Sequence, residues 1–363
     1  MNDSLSTILL RNCHITAEVG KALSQHLVKN KALNFVSVKK WKISDFQASI
    51  CFINALKMCN TLVFLQLNNT QLSDGATNNL ADVIKGNPCL EQLHLYNNNL
   101  KSSAAVILQA LKGISNLKKL DLGSNDLSSK VVDDLAGVIK SNACLEELHL
   151  FNTNLQSSVV VILQALKENL NLKKLNVGGN DISGKVADDL ADVIKNNIYL
   201  EELHLFDSNL GSSTIVILKA LKCISNLTKL DLGGNNLSSE VVVDLADVIR
   251  FNVSLEELHL FNNNLQTSAV VILQALKGLP NLRRLDLANN NLSEKVVDDL
   301  ADVIRFNASL EELHLFNNNL QTSAVVILRA AKGVLNLRKL DVRSNNIPNK
   351  VMDDLAGVAI NDV

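Results

Sequence analysis

Aromatic residues are scarce in this sequence: they make up 4% of its 363 residues, although 47% of the residues are hydrophobic. A core with so few rings must be built from Leu, Val, Ile and Ala side chains. An excess of charge of one sign is also lacking, because the formal net charge is −2. A general affinity for nucleic acid or for an anionic membrane needs an excess of basic residues. We therefore expect neither as a partner.

Hydrophobic runs are short, and none approaches the roughly 20 residues that a membrane-spanning helix needs. The first residues, MNDSLSTILLRNCHIT, lack the basic and apolar regions of a secretory signal peptide. The six cysteines show no paired spacing of the kind found in metal sites. These absences predict a cytoplasmic protein with reduced, mostly buried cysteines. They also predict no membrane insertion, no metal and no other cofactor.

Repetition is what the sequence has in abundance. The stretch LEELHLFNNNL occurs at Leu255–Leu265 and again at Leu310–Leu320, with close variants elsewhere. A frame with the pattern L-x-x-L-x-L-x-x-N-x-L fits thirteen times, from Leu5 to Leu337. Repeats at a fixed period predict stacked structural units rather than globular cores.

The spacing of the repeats defines the domain organisation. From Leu90 onward the steps alternate between 28 and 27 residues, so the unit of self-similarity is a pair of 55 residues. No linker interrupts the array. The sequence therefore predicts one domain over residues 1–363, with irregular repeats at 1–89 and regular double repeats at 90–363.

Each frame predicts a short strand followed by a turn. Leu258 and Leu260 are two residues apart and must point to one side of a strand, while Glu257, His259 and Phe261 point to the other. An asparagine stands at the ninth position of most frames, where its side chain can bond backbone groups of a turn. Stacked turns should then form a hydrogen-bonded asparagine ladder.

Helices are predicted after the turns, because the hydrophobic period changes there from 2 to about 3.6. The segment SEKVVDDLADVIRFN places Val296, Leu300, Val303 and Ile304 on one stripe, with Asp residues outside it. Ser293 and Ser268 are predicted helix N-caps. Strands lie about 4.8 Å apart and helices are about 10 Å across, so a stack of such units should curve. The predicted fold is an α/β solenoid shaped like a horseshoe, with a parallel sheet on the concave face and helices on the convex face.

The alternating frames, such as Leu255–Leu265 and Leu282–Leu292 with a helix after each, resemble the ribonuclease-inhibitor-type leucine-rich repeat. The resemblance extends from Leu5 to Leu355. It implies a protein-binding scaffold, because similar arrays form ribonuclease inhibitors, the C-terminal sensing regions of NOD-like innate immune receptors and the Ran GTPase-activating protein.

The resemblance is best to the NOD-like receptors. The chain has six Cys and one Trp, whereas ribonuclease inhibitor repeats are rich in Cys and carry Trp on the concave face. It ends MDDLAGVAINDV rather than with the acidic tail of a Ran GTPase activator, and it has no GxxxxGK[ST] nucleotide-binding motif. Since the repeats begin at once without clear capping units, we expect a detached sensing region or an adaptor. The alternative is a regulator that docks on a small GTPase or another enzyme.

The residues predicted to face inward form three periodic rows. Glu alternates with Lys or Arg at the third frame position, His with Asp at the fifth, and an aromatic with a small residue at the seventh. Such rows either stitch neighbouring strands together or form a binding face, and both interpretations stay open here. The candidate partner-binding residues are His149, Phe151, His204, Phe206, Asp231, His259, Phe261, Asp286, His314 and Phe316.

The first frames depart from this pattern and form a second candidate patch. It comprises Phe35, Lys39, Trp41 and Phe64, and includes the only Trp in a basic setting, VKKWKISDF. The irregularity is either drift at one end of the array or a unique surface for a unique partner.

Catalysis is not expected. His beside Asp is part of a catalytic triad, but no Ser or Cys stands at the matching positions of the regular repeats. Five copies of the pair in an open trough also offer no secluded site. We predict no catalytic residues and no metal ligands, and a protein as the partner. The identity of that partner and the oligomeric state are open at this stage.

Overall fold

A computed structural model describes residues 4–27, 30–40, 42–43, 46–127 and 129–348. Trp41 of the second candidate patch lies outside the described residues. The chain comprises two compact units, residues 1–180 and residues 181–363. The grouping of all repeats into one domain, with irregular repeats at 1–89, stays a prediction.

The first unit is built of parallel strands and of helices that follow them. Its sheet has the strand order β1-β3-β5-β6-β7-β8-β9, and β2 pairs with β4 separately. The strands are β1 (Thr7–Arg11), β2 (His14–Ile15), β3 (Phe35–Lys39), β4 (Lys42–Ile43), β5 (Phe64–Asn68), β6 (Gln92–His94), β7 (Lys119–Asp121), β8 (Glu147–His149) and β9 (Lys174–Asn176). The helices are α1 (Ala17–Leu27), α2 (Phe46–Leu56), α3 (Asp74–Lys85), α4 (Ala104–Leu111), α5 (Val132–Ser141) and α6 (Val159–Leu166).

The second unit repeats this architecture with parallel strands in sequential order. Its strands are β10 (Glu202–His204), β11 (Lys229–Asp231), β12 (Glu257–His259), β13 (Arg284–Asp286), β14 (Glu312–His314) and β15 (Lys339–Asp341). Its helices are α7 (Lys185–Asn196), α8 (Thr214–Leu221), α9 (Ser239–Phe251), α10 (Ala269–Leu276), α11 (Val297–Phe306) and α12 (Ala324–Ala331). Every one of the thirteen predicted frames therefore starts a strand at its third residue.

The core of each unit consists of the aliphatic positions that the sequence pattern predicts. Leu258 and Leu260 are both 0% exposed, and the same two frame positions are buried in the other regular repeats. The predicted stripe of α11 is buried, since Val296, Leu300 and Val303 are 0% exposed. Because the apolar side of every strand meets the apolar stripes of the helices, each unit forms a continuous Leu-, Val- and Ile-rich core.

The asparagine ladder at the turns is confirmed in both units. In the second unit, the backbone N–H of Asn263 donates to Asn290 Oδ1 at 3.1 Å, and that of Asn290 donates to Asn318 Oδ1 at 3.0 Å. Each side-chain amide also donates back to the preceding repeat, as Asn290 Nδ2 does to the Leu260 carbonyl at 2.8 Å. The ladder supplies partners for backbone groups that would otherwise be buried without any.

The predicted serine caps are wrong. Neither Ser293 nor Ser268 makes a side-chain cap hydrogen bond, and the Ser268 hydroxyl donates instead to the Leu265 carbonyl. Short 3-10 turns enter these helices, Glu294–Val296 and Gln266–Ser268. The 3-10 turn has its own i to i+3 hydrogen bonds, so the serine hydroxyl is not needed as an acceptor for the helix N-terminus.

The prediction that the cysteines are mostly buried is also wrong. Cys89, Cys144 and Cys223 are exposed, and only Cys59 is buried. Burial raises the pKa of the Cys59 thiol to about 11. All six are free thiols. Among the described residues, no helix is both long and apolar enough to cross a bilayer.

Candidate functional site

The open face of a unit is defined here as the side of its sheet that carries the third, fifth and seventh frame residues. In the repeat that contains β12 these are Glu257, His259 and Phe261, which are half-buried, whereas Leu258 and Leu260 point into the core. The alternation follows from the two-residue period of a strand. All ten residues predicted to contact a partner therefore lie on the open face of their own unit.

Opposite charges meet across neighbouring strands of the open face. In the second unit, Lys229 Nζ lies 2.7 Å from a Glu257 carboxylate oxygen, and Arg284 lies 2.8 Å from Glu312 and 3.3 Å from Glu257. In the first unit, Lys119 Nζ lies 2.8 Å from Glu147. The predicted alternation of charge is thus confirmed as a ladder of ion pairs. Such pairs favour the register in which each cation faces a carboxylate.

The histidines of the open face lie between two carboxylates. His259 Nε2 is 3.3 Å from Glu257 on its own strand, and His259 Nδ1 is 3.9 Å from Asp286 on the next strand. His204 has the same environment, at 3.6 Å from Glu202 and 3.7 Å from Asp231. Sequence reasoning predicted the aspartate but missed the glutamate. The signal was the E-L-H triplet, because residues two apart on a strand share a face.

Carboxylate pairing changes the protonation of several groups on the open face. Burial alone would lower the pKa of His204, but hydrogen bonds to Asp231 and Glu202 outweigh it and raise the pKa. Hydrogen bonds from Arg284, with His314 contributing, lower the pKa of Glu312 to about 2 against the effect of burial. Burial opposes the ionisation of Asp286, yet hydrogen bonds from His259 and from the Ala288 backbone lower its pKa. The open face therefore favours charged carboxylates.

We expect the stability of the protein to fall in acid because of these carboxylates. A carboxyl group with a lowered folded pKa contributes fully above its unfolded pKa and loses that contribution as the pH falls through the folded value. For Glu312 this window runs from about 4.5 down to about 2. Urea melts at intervals from pH ~5 to pH ~2 should show a shallower loss of unfolding free energy for Glu312→Gln than for the native chain. Equal slopes would show that the ion-pair ladder contributes nothing to acid stability.

The histidine contributes in the opposite direction. Because the folded pKa of His204 is raised, its stabilisation is complete below the unfolded value of about 6.5 and fades as the pH rises through the folded value. The same melts between pH ~6 and pH ~8 should therefore show a smaller fall for His204→Gln than for the native chain.

The aromatic rings of the open face lie over glycines of the preceding strand. A Cβ placed on Gly233 would lie 2.3 Å from Phe261 Cε1, and a Cβ on Gly123 would lie 2.3 Å from Phe151 Cε1. The ring of Phe151 also stacks on Tyr96, with 5.4 Å between the centroids. The small residues of the seventh position thus provide the space into which the rings lean, so these rings are partly packed on their own sheet.

Phe316 is the ring most available to a partner. It is 37% exposed, whereas Phe151, Phe206 and Phe261 are half-buried. Arg343 lies beside it, 5.8 Å from the ring centroid, and is held by two hydrogen bonds to Asp341 at 2.9 and 2.6 Å. A ring next to an arginine is a combination found at binding hot spots.

The second candidate patch is brought together except for Trp41, which lies outside the described residues. The rings of Phe35 and Phe64 stack with 4.1 Å between their centroids and 5° between their planes. Lys39 is exposed on the same side of β3. These residues lie on the open face of the first unit.

Sequence reasoning also missed ion pairs on the helical side. Lys277 Nζ lies 2.9 Å from both Asp299 and Asp302, and so links the end of α10 to α11. The aspartates were expected to be a solvated ridge. Among the residues that the structure describes, no group of three or more His, Cys, Asp or Glu side chains could hold a metal ion.

Comparison with known families follows from this geometry. A family model described as "Leucine Rich repeats (2 copies)" matches residues 253–302. A model described as "Leucine Rich repeat" matches residues 113–130, 168–190 and 224–246. This chain is built of leucine-rich repeats. The predicted fold class and repeat type are thereby confirmed.

Similar proteins come from two groups. The human NACHT, LRR and PYD domains-containing protein 3 is 27% identical over 337 residues, which cover 90% of this chain and 32% of that protein. Its counterpart from Macaca mulatta is 30% identical over 272 residues, covering 72% of this chain and 26% of that protein. A ribonuclease inhibitor from Mus musculus is 26% identical over 365 residues, covering 97% of this chain and 80% of the inhibitor. The chain therefore spans about a third or less of the NACHT-containing relatives that it matches.

Proposed function

We propose that this chain is a non-enzymatic scaffold that binds a protein through the open face of its leucine-rich repeats. The observation that carries the proposal is the repeated stripe of ring, histidine and carboxylate on the second unit, with Phe316 37% exposed beside Arg343. Aromatic and arginine side chains supply much of the binding energy in protein interfaces. The stripe lies on an open sheet face, which suits a large partner better than a small molecule.

The biological role that fits best is ligand sensing or adaptor function in cytoplasmic innate immunity. It is supported by the similarity to NACHT, LRR and PYD domains-containing proteins over 90% of this chain. The repeats would then correspond to the leucine-rich repeat portion of such a receptor. The partner is a protein, without a cofactor, a nucleic acid or insertion into a membrane.

A second candidate is regulation of an enzyme by docking on it. The similarity to a ribonuclease inhibitor over 97% of this chain favours it. The candidate enzymes are a ribonuclease or a small GTPase. Titrating the chain into a ribonuclease assay and into GTP hydrolysis assays tests it, because a docking regulator changes the rate at substoichiometric or equimolar amounts.

The open-face interaction is tested with Phe261→Ala, which removes a ring in the middle of the second unit. The native chain is immobilised, proteins captured from the cell of origin are identified by mass spectrometry, and the affinity of the main one is measured for each variant. Removing a buried anchor commonly costs about 2 kcal/mol, or ~30-fold in Kd. We expect Phe261→Ala to weaken binding to that extent while the melting temperature changes little.

The matched control is Phe251→Ala. Phe251 is 50% exposed at the end of α9, in the same unit but away from the open face. It should leave the affinity unchanged. If Phe251→Ala weakens binding as much as Phe261→Ala, or if Phe261→Ala lowers only the melting temperature, the stripe is part of the scaffold and not the interface.

A further inference from the structure

The open face of the first three sheet strands has a different chemistry from the rest. On β6, β7 and β8 the open face alternates carboxylates with Lys or His. On β1, β3 and β5 it carries no carboxylate among the described residues. The open-face residues of these three strands are Thr7, Leu9, Arg11, Phe35, Ser37, Lys39, Phe64, Gln66 and Asn68.

Two cations face each other on neighbouring strands of this surface. Arg11 of β1 and Lys39 of β3 are directly paired in the sheet register, and both side chains are exposed. Within the described residues neither has a carboxylate partner, and Lys40 beside them is exposed as well. Like charges directly opposite in a sheet are destabilising. Everywhere else on the open face of this unit the cations face carboxylates, as Lys119 faces Glu147 at 2.8 Å.

An apolar surface adjoins these cations. Leu9 is 69% exposed although it lies on β1, two residues before Arg11. The stacked rings of Phe35 and Phe64 lie on the adjacent strands. A contiguous exposed apolar surface next to charged groups marks an interaction site more often than an isolated exposed leucine does.

The floor of this surface is polar but already satisfied. Ser37 Oγ donates to Gln66 Oε1 at 2.8 Å, and the two residues are 7% and 8% exposed. They offer a partner little further hydrogen bonding. Recognition must therefore come from the exposed cations and the apolar groups, which we name the Leu9 patch: Leu9, Arg11, Phe35, Lys39 and Phe64.

We propose that the Leu9 patch docks an acidic segment of a partner protein that carries a large apolar side chain. A carboxylate of the segment would be placed between Arg11 and Lys39, where it relieves their repulsion, and the apolar side chain would cover Leu9 and the edge of the Phe35–Phe64 stack. Charge complementarity is the reason for the choice of an acidic occupant. The proposal is independent of the function assigned to the second unit, which lies on other residues.

A single-stranded nucleic acid is the other occupant that cations and aromatic rings suggest. The rings argue for a peptide, because Phe35 and Phe64 are parallel within 5° at 4.1 Å and each covers one face of the other. Nucleic-acid binding by stacking needs ring faces that are free to take successive bases. The face also has few cations for a site that follows a phosphate backbone.

The test measures fluorescence anisotropy of labelled probes with the full chain. The first probe is a peptide of about twelve residues in which Glu and Asp alternate with Leu and Phe. The comparison probes are the same peptide with Lys for every acid, an acidic peptide with Ser for every apolar residue, and an oligodeoxythymidine. We expect the first probe to bind at least about tenfold more tightly than the others, with an affinity that falls as salt screens the charges.

Charge reversal locates the binding. Arg11→Glu with Lys39→Glu should weaken the acidic apolar peptide at least about tenfold. Lys219→Glu with Lys295→Glu, which changes the net charge equally on the helical side of the second unit, should leave it unchanged. Arg11→Gln with Lys39→Gln removes the repulsion, so it should weaken binding without lowering the melting temperature.

Three results would overturn the proposal. The first is an acidic peptide that binds no more tightly than the basic one. The second is equal affinity for the Arg11→Glu, Lys39→Glu chain and its Lys219→Glu, Lys295→Glu control. The third is tighter binding of oligodeoxythymidine than of any peptide, which would assign the patch to nucleic acid.

Discussion

Asn290→Ala is expected to lower the free energy of unfolding by about 3 kcal/mol or more, because several buried backbone groups lose their only side-chain partner. Asn290 is 0% exposed in the turn after β13. Its Oδ1 accepts from the N–H groups of Asn263 at 3.1 Å and Leu265 at 3.2 Å. Its Nδ2 donates to the carbonyl of Leu260 at 2.8 Å. Alanine would leave all three groups without this partner in a dry interior.

Urea melts with a matched asparagine variant check this expectation. Asn281 is exposed, and its side chain makes one hydrogen bond, to the Val253 carbonyl at 3.1 Å. Asn281→Ala should therefore cost less than about 1 kcal/mol. Comparable losses for the two variants would mean that the ladder is no more important than an ordinary surface hydrogen bond.

Removal of a single repeat is expected to destabilise the second unit far more than removal of a pair. Deleting residues 227–254 would place Glu202 beside Glu257 and His204 beside His259 on adjacent strands. Deleting residues 227–281 removes a whole pair and places Glu202 beside Arg284, so the alternation continues. Like charges opposite each other are destabilising, and the neighbouring helices of the shorter deletion would also be of the same type.

Thermal melts of the two deletion variants test this prediction. Because stability in a stack is approximately a sum of repeat and interface terms, the longer deletion should lower the melting temperature by only a few degrees. The shorter deletion should lower it by a further ~10 °C or prevent cooperative unfolding. If the shorter deletion melts at the same temperature as the longer one, the alternation of repeat types does not stabilise the array.

Much of the fold was predictable from sequence because the repeated constraint is local. Two leucines two residues apart, such as Leu258 and Leu260, must share one side of a strand, and Asn263 must find partners for its amide where the chain turns. Both features are confirmed by the buried leucines and by the hydrogen bonds of the ladder. The pairing of Lys229 with Glu257 was predictable for the same reason, since register puts equal frame positions side by side.

The candidate site was predictable in position but not in contacts. The strand period placed His259 and Phe261 on the open face, yet it did not show that His259 lies as close to Glu257 as to Asp286. Nor could it show that the ring of Phe261 covers Gly233. Side-chain rotamers depend on neighbours from other repeats, and a periodic pattern contains no information about rotamers.

The sequence by itself determined the repeat, the strand positions, the buried stripes and the charge alternation, because each follows from a period of 2, 3.6 or 55 residues. Only the tertiary structure decided which groups the repeats leave exposed or paired. Cys144 and Cys223 are exposed, Ser268 turns its hydroxyl back to Leu265, and Lys277 bridges to α11. These outcomes depend on the distance and orientation between units that are adjacent in space but about 27 residues apart in sequence. Packing between such units, rather than local preference, sets them.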